Sequence, residues 1–242
     1  MLVKTNAIVL HSFKYGESKL IVDLFTETQG RLGCIVRVAK SATGKLKKQY
    51  FQPLSLLEVI VDVRQRARLQ TIKDARVAVP FVSIPFNPYK LSISLFVAEF
   101  LCGATQREEA DQPLYTYIYN SICWLDNCEH KFANFHLVFA MRLTRFLGFY
   151  PNLDDYQAGC WFDLRASCFC LSAPLHRDGL PPEEARLIQL MMRMNFSTMH
   201  LYRMNRNERN RLLDIILEYY RLHVPDFPQL KSVSVLKEVM AV

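Results

Sequence analysis

Four lysines fall within the stretch VAKSATGKLKKQYFQPL, residues 38–54, and no acidic residue accompanies them. Lysine ammonium groups that lack carboxylate partners attract phosphate oxygens, and each phosphate that they neutralise releases condensed counterions. An aromatic ring beside such cations can stack on a base of a single strand, and Tyr15 and Tyr50 are the candidates, with core packing as the equal alternative for each. The residues predicted to contact a nucleic acid are Arg31, Arg37, Lys40, Lys45, Lys47, Lys48, Tyr50 and Arg66.

The residue sets that perform covalent catalysis are missing from the sequence. There is no GxxxxGK[ST] phosphate loop and no GxGxxG, GxSxG or HExxH motif. The carboxylates are scattered, and the six histidines show no ligand spacing. We therefore predict that the protein is not an enzyme and has no catalytic residues.

One cluster of cysteines raises the question of zinc. Cys160, Cys168, Cys170 and His176 have the spacing C-x7-C-x-C-x5-H. Structural zinc sites usually take their ligands from CxxC-like pairs, and this spacing does not match them. Cysteines that act as small hydrophobic residues on a hairpin explain the same pattern. We predict no metal and no other cofactor, with these four residues as the alternative ligand set.

The positive charge of the chain belongs to its first third. Residues 1–80 contain fourteen Lys and Arg against six Asp and Glu, a net charge of +8, whereas the whole chain has +7. Such asymmetry indicates that one part of the chain meets a polyanion, with a solubilising surface as the alternative. Half of the residues are hydrophobic and 22% are charged, which is typical of a globular protein.

The cysteines and the apolar runs predict a cytoplasmic protein. The chain has seven cysteines, an odd number without framework-like spacing, which indicates free thiols in a reducing compartment. The N-terminal residues have too short an apolar core for a signal peptide. The longest apolar run, residues 91–104, includes Glu99 and is too short to cross a bilayer, so no membrane association is expected.

Two kinds of element must position these residues. Five short β-branched segments separated by turns predict a small closed barrel of the OB-fold class, at residues 6–13, 18–27, 31–40, 54–64 and 69–80. Apolar residues at steps of three and four then predict helices at 89–108, 113–128, 132–149, 182–195, 205–222 and 232–240. A hairpin of residues 160–165 and 168–172 interrupts them.

The predicted architecture has two domains. Residues 1–80 form an all-β OB-fold domain that binds nucleic acid, and residues 81–88 form a linker marked by Pro85 and Pro88. Residues 89–242 form a mainly α-helical C-terminal domain with a small hairpin insertion at about 151–180.

Several short motifs occur in an order that identifies a family. They are Y-x-E-S (Tyr15, Glu17, Ser18), FT-x-x-x-G (Phe25, Thr26, Gly30), the basic loop, QP (Gln52, Pro53) and, near the C-terminus, KS-x-x-x-L (Lys231, Ser232, Leu236). With these features the sequence resembles the RecO family of bacterial recombination mediators over nearly its whole length. The family's paired CxxC zinc ligands have no counterpart in the stretch GCWFDLRASCFCLS, residues 159–172.

The resemblance implies a function and a set of partners. It implies binding of single- and double-stranded DNA, annealing of complementary strands, and help in loading RecA onto DNA coated with single-strand-binding protein during gap repair. The implied partners are DNA, RecR, the C-terminal tail of single-strand-binding protein and, indirectly, RecA, in the nucleoid. In the family the tail docks on the helical domain, where Arg142 and Arg145 beside Phe139 are the candidates, with a plain core helix as the alternative.

Two other classes of protein compete with this interpretation. A non-enzymatic adapter would use the basic barrel to bind acidic proteins and would bind no oligonucleotide. An enzyme acting on nucleic acid would need a carboxylate cluster or a metal site, and the sequence offers neither in convincing form. Salt-dependent binding of a bare oligonucleotide separates the mediator from the adapter.

Overall fold

The computed structural model describes residues 1–38, 46–106 and 109–240. The chain divides into two compact units. The first contains Met1–Asn127 and takes in Leu230–Val239 near the C-terminus, and the second contains Cys128–Gln229. The described helices are α1 Pro88–Ala104, α2 Gln112–Asn127, α3 Phe135–Leu143, α4 Pro182–Arg193, α5 Arg206–His223 and α6 Ser232–Val239.

The first unit contains a closed barrel. Its strands are β1 Leu2–Tyr15, β2 Lys19–Thr26, β3 Gly30–Arg37, β4 Leu56–Asp62 and β5 Gln70–Val79. They pair in the order β1-β2-β3-β5-β4, and the barrel closes through antiparallel pairing of β1 with β4. The short β3–β5 contact is parallel. The predicted fold class, an OB-fold barrel followed by helices, is confirmed.

The alternation of residues along the strands separates the barrel interior from its outside. In β2, Leu20, Val22 and Leu24 are buried in the barrel core, and the residues between them are more exposed. Because successive side chains of a strand point to opposite faces, Lys19 and Asp23 lie on the outside. A short 3₁₀ helix, Lys48–Phe51, adds Phe51 to the core, and the Phe51 carbonyl accepts a hydrogen bond from Ser12 Oγ at 2.7 Å.

The predicted linker is held firmly within the first unit. The Asp126 carboxylate of α2 accepts hydrogen bonds from the backbone N–H groups of Val82, Ser83 and Ile84 at 2.8, 2.9 and 2.8 Å. The buried Lys90 ammonium donates to Ser83 Oγ at 2.6 Å and to the Asp126 carbonyl at 3.0 Å. We call residues 81–87 the joining segment, and a buried polar network fixes its backbone.

The last helix packs beside the first. The Glu99 carboxylate of α1 accepts hydrogen bonds from the backbone N–H groups of Lys231 and Ser232 at 2.9 and 2.8 Å, and from the Ser232 hydroxyl. Leu236 is buried. The KS-x-x-x-L motif therefore has a physical explanation, since a side chain from α1 satisfies the N-terminal amides of α6.

The second unit combines helices with a small sheet. Strands β6 Trp161–Asp163, β7 Cys168–Cys170 and β8 Gly179–Leu180 pair in the order β7-β6-β8. The first two form the predicted hairpin, in which Ser167 takes a positive φ of 57°. The two-residue strand β8 was not predicted. Helix α3 ends at Leu143 instead of 149, because Arg145 and Phe146 donate to carbonyls three residues back, which tightens the chain into a turn.

Candidate nucleic-acid interface

The outer side of β1, β2 and β3 carries a row of aligned residues. Tyr15 of β1 lies opposite Lys19 of β2, and Lys19 in turn lies opposite Arg37 of β3. All three side chains are exposed, and neither Lys19 nor Arg37 forms an ion pair with a described residue. Like charges directly opposite each other on paired strands are destabilising. A row of this kind costs the barrel stability unless an anion binds there.

Aromatic rings extend this row along β1. Phe13 is 46% exposed and Tyr15 is 55% exposed. The rings of His11 and Phe13 lie 5.7 Å apart, and their partners Asp23 and Ile21 are on the outer side of β2. Large exposed rings beside cations are the chemistry by which proteins bind single strands, through stacking on bases and contacts with phosphates. We call Phe13, Tyr15, Lys19 and Arg37 the cationic face.

The turn between β4 and β5 brings further arginines close to β3. A Cβ atom at Gly33 would lie 3.3 Å from Leu69 Cδ2, so the glycine lets this turn approach the strand. Arg64 pairs with Asp62 at 2.9 Å. Arg66 and Arg68 are exposed and form no ion pair with a described residue. In OB-folds the face of strands 2 and 3 and the loops beside it bind oligonucleotides, and these cations lie in the corresponding positions.

Arg31 has a different environment from the one predicted. Its guanidinium contacts the Asp23 carboxylate at 3.3 Å and donates to the Cys102 carbonyl near the end of α1 at 3.2 Å. The side chain is only 17% exposed. It joins the barrel to α1 by binding a carbonyl of the helix's last turn. We therefore leave Arg31 out of the proposed DNA surface.

The basic loop is described only in part. Lys40 and Lys45 lie outside the described residues. Lys48 is exposed at the start of the 3₁₀ helix, and Lys47 precedes it. Tyr50 is half-buried and packs against the barrel core, while it also lines a largely apolar cleft of about 400 Å³. That Tyr50 stacks on a base stays a prediction, whereas its packing against the barrel core is seen in the structure.

Four residues of this surface are missing from the set predicted to contact nucleic acid: Phe13, Tyr15, Lys19 and Arg68. The signal for Phe13 was present, because His11, Phe13 and Tyr15 follow one another at a spacing of two and therefore share one face of a strand. Lys19 flanks the first turn, and the sequence alone does not show which residue it faces. Only the register, which sets it opposite Arg37, distinguishes it.

The predicted peptide-binding residues lie in the second unit. Phe139 is fully buried in α3 and stacks on Phe135 with ring centroids 6.0 Å apart. The Arg142 guanidinium donates twice to the Met194 carbonyl just beyond α4, at 3.1 and 3.0 Å. Arg145 alone of the three is exposed. The apolar stripe of α3 is therefore part of the core, and Phe139 offers no surface to a peptide.

Two thiols of the cysteine cluster, those of Cys168 and Cys170, lie beside a carboxylate. Burial raises the pKa values of Cys168 and Cys170, and the charge of Asp163 raises them further. Asp163 lies opposite Cys168 in the hairpin and contacts His176 at 3.2 Å. Within residues 1–38, 46–106 and 109–240, no group of three or more His, Cys, Asp and Glu side chains has an arrangement that could hold a metal ion. The same ranges contain no helix long and apolar enough to cross a membrane.

Comparison with known proteins points to one family. The family models described as "Recombination protein O N terminal" and "Recombination protein O C terminal" match residues 1–81 and 85–233. The chain is 53% identical to the DNA repair protein RecO of Bacteroides fragilis over 99% of both chains, and 50% identical to that of Phocaeicola vulgatus over 100% of both. It is 36% identical to the DNA repair protein RecO of Porphyromonas gingivalis over 98% of both chains.

Proposed function

Since the chain belongs to the RecO family of DNA repair proteins, we propose that it is a recombination mediator that binds single- and double-stranded DNA and anneals complementary strands. In this role it assists the loading of RecA onto DNA coated with single-strand-binding protein, in the nucleoid of a bacterial cytoplasm. RecR and the C-terminal tail of single-strand-binding protein are its proposed protein partners. No covalent step is involved.

The observation that carries this proposal is the row formed by Tyr15, Lys19 and Arg37. Two cations face each other across paired strands without a carboxylate from any described residue, and an exposed ring continues the row. A bound phosphate backbone offsets the repulsion between the two cations, and the ring supplies a stacking surface for a base. The barrel is the scaffold that keeps the three side chains in register.

Annealing follows from the same electrostatics. Two DNA strands repel each other through their phosphates, and this repulsion acts over about 10 Å at moderate salt. Cations that bind one strand lower its charge density, so a second strand approaches more readily and base pairing then drives the reaction. If six cations contact single-stranded DNA, the plot of log K against log salt concentration has a slope of about −4. The six are Lys19, Arg37, Lys47, Lys48, Arg66 and Arg68.

The double variant Lys19→Glu/Arg37→Glu tests the proposal. We expect weaker binding to every oligonucleotide sequence and a salt slope that is shallower by about 1.4, since two contacts are lost. The matched control is Arg177→Glu/Arg186→Glu, which makes the same change of charge at exposed positions of the second unit. Fluorescence anisotropy across a salt series gives both quantities, and fluorescence annealing of complementary strands gives the rate.

Two results would contradict the proposal. Equal DNA affinity for the double variant and its control would remove the cationic face from the interaction. If the unaltered protein bound no oligonucleotide even at low salt, the adapter would become the better interpretation, and the basic barrel would be a surface for acidic proteins.

A further inference from the structure

The second unit contains a cleft of about 590 Å³ whose walls are rich in cations. The cleft lies between the loop that precedes α3 and the chain leading into α5. We call Lys131, His200, Arg203 and Arg209 the cation cleft, after the basic residues that line it. The resemblance to RecO selects none of these residues.

Arg209 is the most buried of the basic residues that line this cleft. Its side chain is half-buried, and it forms no ion pair with a described residue. Burial lowers the pKa of the Arg209 guanidinium. Burial first and the Arg209 charge second lower the pKa of the enclosed His136 to about 3, so this histidine stays neutral. A half-buried cation without a counter-charge costs folding free energy, and an anion bound in the cleft would offset that cost.

The acidic residue that lines the cleft is already engaged. Glu208 Oε2 accepts a hydrogen bond from the Asn205 backbone N–H at 2.8 Å, and Asn205 Oδ1 accepts one from the Glu208 N–H at 2.9 Å. This reciprocal capping box begins α5 and fixes the carboxylate at the helix terminus. The positive end of the helix macrodipole adds to the potential of the cations around it.

A buried amide holds the loop that carries two of the basic residues. Asn134 Nδ2 donates to the carbonyls of Met199 and Tyr202 at 3.1 and 3.0 Å. These two bonds hold the segment from 199 to 202 against the start of α3, and thereby position His200 and Arg203. The Asn134 side chain is itself buried. The cleft is thus formed by an ordered backbone and not by side chains that meet by chance on a surface.

We propose that the cation cleft binds phosphates of a nucleic-acid strand, as a second contact site with residues separate from the cationic face. The inference rests on the proposed function, since it assigns a further DNA contact to the same annealing protein. Guanidinium groups bind phosphate oxygens through paired hydrogen bonds, and Arg203 and Arg209 supply two such groups. A second phosphate site gives an annealing protein a means to hold one strand while another is bound at the barrel.

The lining favours a nucleic acid over an acidic peptide. Peptides that dock through a carboxylate and apolar side chains need apolar pockets beside the cation. The apolar residues of the cleft are Ala133, Met204 and the ring of Tyr202, and they form no separate pocket for a large apolar side chain among the lining residues. Four basic side chains around one cleft suit a ligand whose charges repeat along its length, which describes a phosphate backbone.

The test uses the full chain with Arg203→Glu/Arg209→Gln, and with Arg186→Glu/Arg177→Gln as a control of equal charge change. We expect the cleft variant to anneal complementary oligonucleotides about tenfold more slowly than the control. Its salt slope for single-stranded DNA should be shallower by about 1.4. Because Arg209 forms no ion pair with a described residue, the midpoint of thermal unfolding should stay within about 2 °C of the unaltered protein. If the double variant fails to fold, the exposed Arg203→Glu variant alone carries the test.

The other possible results would contradict the inference, and each points to a different explanation. Annealing and salt dependence equal to those of the control would exclude the cleft as a DNA contact. Unchanged DNA binding, together with loss of binding to a synthetic acidic peptide, would assign the cleft to a protein partner. The variant of the cationic face separates the two proposals: if that variant loses DNA and the cleft variant does not, only the second site fails. If neither variant is impaired, the proposed function itself fails.

Discussion

The cationic face of the barrel and the polar network that holds the joining segment both use basic residues, yet they use them in opposite ways. Lys90, beside the joining segment, is buried and donates to a hydroxyl and a carbonyl. Lys19 and Arg37 on the cationic face are exposed, face each other, and form no ion pair with a described residue. A basic residue with internal partners stabilises the fold, whereas one held close to another cation is available to an anion from outside.

The same distinction separates two pairs of arginines. Arg31 and Arg142 bind backbone carbonyls near helix ends, at Cys102 and Met194. Arg66 and Arg68 have no ion-pair partner among the described residues and are exposed. Substitutions of the first kind should therefore change the free energy of unfolding, and substitutions of the second kind should change DNA binding.

The largest effect is expected at Asp126. Replacement of Asp126 by Ala removes the acceptor of the backbone N–H groups of Val82, Ser83 and Ile84. Unsatisfied buried donors are costly, so we expect a loss of about 3–5 kcal/mol in the free energy of unfolding, measured by urea denaturation. The control Lys19→Ala should change it by less than about 0.5 kcal/mol. Equal effects of the two substitutions on the free energy of unfolding would contradict the distinction between groups with internal partners and the exposed cations of the cationic face.

The next effect concerns the rings of the cationic face. Replacement of Tyr15 or Phe13 by Ala should weaken binding of single-stranded DNA by about 1–3 kcal/mol for each stacked base. The salt slope should stay unchanged, because no charge is removed, whereas Lys19→Gln should make it shallower by about 0.7. Tyr150→Ala, at an exposed tyrosine of the second unit, serves as the control. A change in slope for Tyr15→Ala would show that the ring acts by positioning the cations and not by stacking.

A smaller and pH-dependent effect is expected where α6 meets α1. Although partial burial alone would raise the pKa of Glu99, hydrogen bonds from Ser232 and from the backbone of Lys231 and Ser232 lower it below its ordinary value of 4.5. A carboxyl group whose pKa is lowered by folding stabilises the protein above its unfolded pKa. That contribution is lost as the pH falls through the folded pKa.

The variant Glu99→Gln measures this contribution. We expect it to cost about 1 kcal/mol at neutral pH, the size of a helix cap. The difference from the unaltered protein should shrink as the pH falls below about 4.5, the ordinary pKa of a glutamate. A difference that stayed constant over this range would mean that the charge of Glu99 does not matter for the docking of α6. Ser234→Ala, at an exposed hydroxyl of the same helix, is the control.

The sequence allowed the fold to be predicted where local pattern decides it. The alternation along β2 and the turn residues between strands predicted the barrel, since one face of each strand must be buried. Strand β8 has two residues, which is too short to show any pattern. Helix α3 ends earlier than predicted because the carbonyls of Arg142 and Leu143 accept hydrogen bonds from N–H groups three residues further on. The apolar stripe continues past this point, so the sequence does not show where the helix ends.

The sequence indicated the chemistry of the candidate site but not which residues form it. The positive charge of residues 1–80 indicated a polyanion partner, and the barrel carries exposed cations in register. Which arginine is available depends on contacts distant in sequence. Arg31 binds a carbonyl 71 residues further along the chain, and no local pattern contains that information. The pairing of Lys19 with Arg37 likewise depends on the register of two strands and not on either residue's neighbours.

The smallest expected effect separates stability from binding at a single position. The variant Lys19→Glu sets a carboxylate opposite Arg37, so a repulsive cross-strand pair becomes an attractive one. We expect the free energy of unfolding to rise by about 0.2–1 kcal/mol, as such pairs contribute, while DNA affinity falls. Urea denaturation and fluorescence anisotropy on the same sample measure the two quantities, and Lys19→Gln should give intermediate values of both. A variant that lost both stability and binding would mean that Lys19 supports the barrel. Higher stability together with weaker DNA binding would mean that the chain keeps a destabilising lysine because the bound strand requires it.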